Sequence, residues 1–209
     1  MNSALIVDCI AAVRQALLAS ESDIESLDRA IGDGDHFINV KRGCDVLLAL
    51  SPELLPLTPD AACRQIGMKL MSTIGGASGP LLASFFLALG KSIAGAATVD
   101  AESFARAFAA GVEAIAQRGK AGLGEKTMLD VLIPVAVLLQ RLTREHVALE
   151  SLCRQVKAEA ERGMLVTRDM IATKGRAHFL GERAIGHIDP GSKTCQVAIH
   201  AVCDLLTSR

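Results

Sequence analysis

From one end of the chain to the other, apolar residues recur at the three- and four-residue spacing of an α-helix. No stretch alternates polar and apolar residues between turns as a strand would. Ile6, Ile10, Val13 and Leu17 set the pattern over residues 3–18. Ser22 and Glu25 have capping-box spacing and start a short helix over about 22–30. Val40, Leu47 and Leu50 carry the next helix from His36 to Ser51-Pro52. Thr58-Pro59-Asp60 opens another, with Thr58 as N-cap and proline at the first helical position, running to about Ile74. LLASFFLALGK, from Leu81, is apolar nearly all round and predicts a central helix. Asp100 caps a helix whose Phe104, Phe108, Val112 and Ile115 share a face. LDVLIPVAVLLQRL follows with a proline kink at Pro134, then helical patterns over 147–173 and 191–207. The result is an all-α chain of about eight helices, read as one domain over 1–209. Trp and Tyr are absent and there are six Phe, so the core rests on Ala, Leu, Ile, Val and Met, which suits helices.

Four polar, glycine-rich stretches interrupt these helices, at 31–36, 75–80, 118–128 and 174–191. Loops on a rigid scaffold are where chemistry usually resides. The first, within LDRAIGDGDHFINVKRG, puts Asp28, Asp33 and Asp35 into eight residues. On a continuous helix Asp33 and Asp35 would diverge, because each residue turns about 100°. Gly32 and Gly34 offer the positive φ of a turn in which the carboxylates converge. Oxygen-only ligation of that kind fits Mg²⁺ or Ca²⁺ rather than zinc. The alternative is an acidic surface loop with Asp35 as the cap of the next helix. In GGASGP, Ser78 stands at a helix start whose free N–H groups suit phosphate, or it is simply a good turn and cap. Lys174 and Arg176 complement the remaining negative charge. These are the parts of a Mg-nucleotide site, but the chain has no G-x-x-x-x-G-K-[ST] loop.

The net charge of −1, with well-mixed signs and no basic stripe, argues against direct nucleic-acid or anionic-membrane binding. Cys9, Cys44, Cys63, Cys153, Cys195 and Cys203 show neither C-x-x-C nor zinc-ligand spacing, as expected of reduced thiols in a cytoplasmic protein. MNSALIVDCIAAV lacks a cationic start and meets Asp8 early, unlike a signal peptide, and the longest apolar runs are too short to span a bilayer.

The motifs LDRAIGDGDH, MSTIGGASGPL, RGKA…KTMLDVLIPV and KGRAHFLGERAIGHIDPG occur in one order along nearly the whole chain. In this combination the sequence closely resembles the nucleotide-binding L subunit (DhaL) of bacterial dihydroxyacetone kinases. The resemblance implies a barrel of eight antiparallel helices with ADP or ATP at the loop end. It implies that Asp28, Asp33 and Asp35 bind two Mg²⁺ ions. It assigns nucleotide contacts to His36, Phe37, Ile38, Asn39, Ala77, Ser78, Gly119, Met128, Arg176, Asp189, Pro190 and Gly191. Arg176 is the catalytic candidate, stabilising charge on the transferring phosphoryl group.

The implied function is a kinase subunit of glycerol metabolism, a homodimer, that phosphorylates dihydroxyacetone or a similar short ketose held by a separate K subunit. An M subunit bearing phosphohistidine, part of a phosphoenolpyruvate-dependent phosphotransferase system, recharges the resident ADP. Other implied roles are ATP-dependent phosphorylation of another short sugar, and regulation by binding a transcription activator. A metal-dependent phosphatase would need a water-activating base, and none is evident. Two departures from the family pattern stand out: Phe37 in place of glycine, expected to add bulk beside the phosphates, and Glu125 in place of aspartate.

Overall fold

The computed structural model describes all 209 residues and contains no strand. Its helices are α1 (Ser3–Ala19), α2 (Glu21–Ile31), α3 (His36–Leu54), α4 (Pro59–Thr73), α5 (Ser78–Ser92), α6 (Ala101–Gly119), α7 (Leu129–Arg144), α8 (Leu149–Val166) and α9 (Pro190–Thr207). Two 3₁₀ segments, Thr167–Asp169 and Arg176–Ala184, lie between α8 and α9. Helix α1 packs on α3, each later helix packs on the next, and α9 returns against α1. Eight helices therefore close a ring. The short α2, bent 67° from α1, leans on α3 and α9.

Several ends differ from the sequence reading. Helix α2 begins at Glu21, before Ser22, because α1 gives way to α2 within the single residue Ser20, whose side chain makes no capping hydrogen bond. Pro52 lies inside α3, which runs on to Leu54. Asp100 caps α6 as its position suggests, accepting a hydrogen bond from Ser103 N at 2.7 Å. The 147–173 pattern is a helix only as far as Val166, after which the chain tightens into the first 3₁₀ segment. The apolar α5 is not central: Ala83 and Leu89 are buried, but Leu87 faces solvent. It is one stave of the ring, held between α4 and α6.

Glycines set how closely these staves approach. A Cβ on Gly111 of α6 would lie 2.6 Å from the Phe85 ring of α5, and one on Gly163 of α8 would lie 2.4 Å from the Asp130 carbonyl of α7. The core fills the ring in two main parts. Leu47, Leu50, Leu54, Ile66 and Leu70 dominate the α3–α4 side, and Val131, Val135, Leu139, Val156 and Met164 the α7–α8 side. Each such buried side chain contributes roughly 1.5–3 kcal/mol. No single helix is long and apolar enough to cross a membrane.

Helix–helix contact at Gly163 leaves no room for a methyl group. Gly163→Ala should lower the free energy of unfolding by about 1–3 kcal/mol, seen as a lower urea midpoint at unchanged slope. An unchanged midpoint would contradict the packing described.

Candidate functional site

Because neighbouring helices of the ring run in opposite directions, α3, α5, α7 and α9 all begin at the same end. The loops that lead into them line one cavity of about 680 Å³. Its wall includes His36, Ser78, Leu129 and Pro190, the first residues of those four helices. The first turn of a helix carries unpaired N–H groups and a partial positive charge, so this end of the ring favours anions.

The acidic turn lies between α2 and α3. Asp28, Asp33 and Asp35 can place one oxygen each within 4.8 Å of one another, with Asp28 buried and the other two exposed. Asp28 Oδ2 accepts the backbone N–H of His36 at 2.9 Å, so this carboxylate, and not Asp35, satisfies the start of α3. The glycines differ in purpose. Gly34 has φ +80°, as a turn requires, whereas Gly32 has φ −113° and needs no left-handed backbone. Gly32 is required for space, because a Cβ there would lie 1.8 Å from Asp28 Oδ1. The donor set fits a hard divalent cation: all ligands are carboxylates, and only one is removed from water.

The cavity's outer wall is the segment after Gly175, whose φ of +65° turns the chain. Ala177 and Ala184 pack with Ile31 and Ala172 in a small apolar cluster, fastening this segment to the end of α2. That docking brings Arg176 to the acidic turn, where its Nε forms an ion pair with Asp33 Oδ2 at 2.7 Å.

His36 lies on the wall and its ring is fixed from α9. Thr194 Oγ donates to the Pro190 carbonyl at 2.9 Å, so His36 Nε2, 2.8 Å from the same oxygen, is the donor to it. Burial lowers the His36 pKa, against the opposing pull of Asp28, Asp35 and Asp33. Asp189 caps α9 by accepting the Ser192 N–H at 2.6 Å. Burial pushes its carboxyl up to about 6, although Ser192 and Lys126 favour the charged form.

The 120–128 loop is held by three side chains. Buried Asp130 accepts N–H groups from Gly124 at 2.5 Å and Thr127 at 2.8 Å. Lys126 has φ +60°, uncommon for a residue with a side chain, and its buried ammonium donates to the carbonyls of Thr167 and His187. Burial lowers its pKa, while Asp189, Asp169 and Asp130 resist the change. Glu125 accepts from Gly122 N at 2.6 Å and from Thr173 Oγ at 2.7 Å, tying this loop to the segment before Arg176.

Of the residues singled out in the sequence, Asp28, Asp33, Asp35, His36, Asn39, Ala77, Ser78, Gly119, Met128, Arg176, Asp189, Pro190 and Gly191 all line the cavity. Phe37 and Ile38 do not. His36 and Asn39, three apart on α3, share the cavity face, and the two residues between them point elsewhere. Phe37 is buried with Leu17, Ile24, Val40 and Val197, so its bulk fills the core and does not crowd the cavity. Ile38 is exposed. Lys126, Thr127, Arg118, Leu81, Ile115 and Phe179 also line the wall, and sequence reasoning did not single them out for it. Lys126 and Thr127 stand in the KTM motif beside Met128, which was the available signal.

The DAK2 domain profile matches residues 30–204. This chain belongs to the DAK2-domain family. The ADP-binding subunit DhaL of a phosphoenolpyruvate-dependent dihydroxyacetone kinase from Listeria innocua is 41% identical, over 86% of this chain and 84% of its own. The corresponding DhaL from Escherichia coli is 35% identical over 84% of each chain. The crystal structure of the dihydroxyacetone kinase from C. freundii, in complex with AMP-PNP and Mg²⁺, superposes with a TM-score of 0.75 at 23% identity. That match covers 97% of this chain and 34% of the larger protein, and establishes the shared helical fold.

The raised Asp189 pKa has a consequence for stability within this DAK2 fold. Between its ordinary 3.8 and about 6 the folded chain binds more protons than the unfolded one, so this residue's contribution falls as pH rises through that window. Asp189→Asn keeps a competent helix cap and removes the titration. Urea unfolding should show wild type losing stability relative to the variant from pH 4 to pH 6. A constant difference would contradict the assignment.

Proposed function

We propose that this chain is the ADP-carrying subunit of a phosphoenolpyruvate-dependent dihydroxyacetone kinase. The observation that carries the reading is the trio of carboxylates within 4.8 Å at the edge of a cavity walled by four helix starts. Such a cavity accepts a polyanion only where cations and N–H groups are both at hand. A volume of about 680 Å³ lies within the usual range for a small-molecule site.

Asp28, Asp33 and Asp35 hold Mg²⁺, two ions by resemblance to the family. Bound there, Mg²⁺ neutralises phosphate charge and aligns the transferring group. The start of α5, at Ser78, offers its N–H groups to phosphate oxygens. Leu81, Ile115, Met128 and Leu129 supply an apolar wall for the base. Arg176 is the group within reach of the acidic turn that carries a positive charge to the transferring phosphoryl.

No residue of this chain is needed as a covalent nucleophile. A separate K-type subunit presents dihydroxyacetone, whose hydroxyl oxygen attacks the terminal phosphorus as the bond to the ADP oxygen breaks and a proton is released. An M-type phosphohistidine carrier then restores the phosphoryl group to ADP. Similarity to free-standing ADP-binding subunits of about this length supports ADP as a resident cofactor rather than ATP in free exchange.

Asp33→Ala removes a cation ligand from an exposed turn without touching the core. Its affinity for Mg-ADP, read by calorimetry, should fall by at least about 100-fold while helical circular dichroism is retained. Unaltered affinity would refute the metal assignment.

A further inference from the structure

We propose that Arg176 competes with a divalent cation for the Asp33 carboxylate, so that the acidic turn binds the cation weakly alone and strongly with a polyphosphate. This rests on the reading of the turn as the cation site and of the cavity as the nucleotide site.

The three carboxylates have different partners. Asp28 receives a neutral backbone N–H from His36, and Asp35 makes no capping hydrogen bond. Asp33 alone is paired with a full positive charge, through Arg176 Nε at 2.7 Å from its Oδ2. A dication joined to Asp33 while this pair is intact lies within a few ångströms of the guanidinium, and the two repel. Either the cation is weakened or the arginine leaves.

Departure of the side chain is structurally easy. Arg176 is 70% exposed, whereas the backbone beside it is anchored by Ala177 in its apolar cluster and by the turn at Gly175. The guanidinium can therefore swing without displacing the segment. What it lacks after leaving Asp33 is an anionic partner, and a polyphosphate in the cavity provides one with matching geometry. Nucleotide and cation then strengthen each other's binding by the same factor, as linkage requires, and Arg176 is a source of that coupling.

Mn²⁺ is a direct probe, because the free ion is counted by electron paramagnetic resonance. The full chain, Arg176→Gln and Arg176→Lys are each titrated with Mn²⁺, with and without ADP. Arg176→Gln should bind Mn²⁺ alone about tenfold more tightly than wild type, the scale of removing one unit charge from beside a dication in a water-rich site. Arg176→Lys, which keeps the charge, should stay near wild type, and ADP should improve Mn²⁺ binding less in Arg176→Gln than in wild type. Equal or weaker Mn²⁺ binding by Arg176→Gln overturns the proposal, and does so without touching the nucleotide reading if wild type still takes up Mn²⁺ with ADP. Failure of wild type to bind Mn²⁺ even with ADP overturns both.

Discussion

Three carboxylates brought within 4.8 Å of one another repel, and the surroundings of the acidic turn are organised to offset that repulsion. Asp28 is taken out of water and held by the His36 N–H. Its neighbour at position 32 is a glycine because any side chain would collide with it. Arg176 comes from a distant part of the sequence to neutralise Asp33. The segment that carries Arg176 is docked on Ile31, the last residue of the helix that carries Asp28. The acidic turn and the arginine paired with it are thus positioned on a common support.

The ring adds a second constraint. Alternating helix direction collects four N-terminal ends, and with them the positive ends of four helix dipoles, around one cavity. The acidic turn, the helix starts and the apolar side chains of Leu81, Ile115, Met128 and Leu129 line different parts of the cavity, an arrangement suited to the proposed metal–nucleotide complex. The loop before α7, whose Lys126, Thr127 and Met128 line the cavity, is held in place by side-chain hydrogen bonds. Its hydrogen bonds fix Met128 and the start of α7, and the buried Lys126 ammonium links it to the approach to α9.

Local signals in the chain were readable. Helical spacing marked the staves of the ring, and the GDGD turn marked the carboxylates. The errors have physical causes. Ser22 and Glu25 fit a capping box, yet the chain turns earlier because α2 follows α1 after one residue. The resemblance counts Phe37 among the nucleotide contacts, but helical rotation sends it into the core. Gly32, close to Gly34 in sequence, suggests a positive φ, but what its position requires is the absence of a Cβ. Lys126 contacts carbonyls 41 and 61 residues away, and the Arg176–Asp33 pair spans most of the chain, so neither leaves a local pattern. The resemblance to DhaL pointed to Arg176 as a functional residue, but its partner in the turn emerges only from the folded arrangement.

Nucleotide carriage by this chain is measured most directly by acid release of nucleotide from the purified, desalted protein, identified and counted by chromatography. Near-stoichiometric ADP that survives desalting is the expected result. No retained nucleotide, together with no uptake of ADP or ATP in the presence of Mg²⁺, would contradict it.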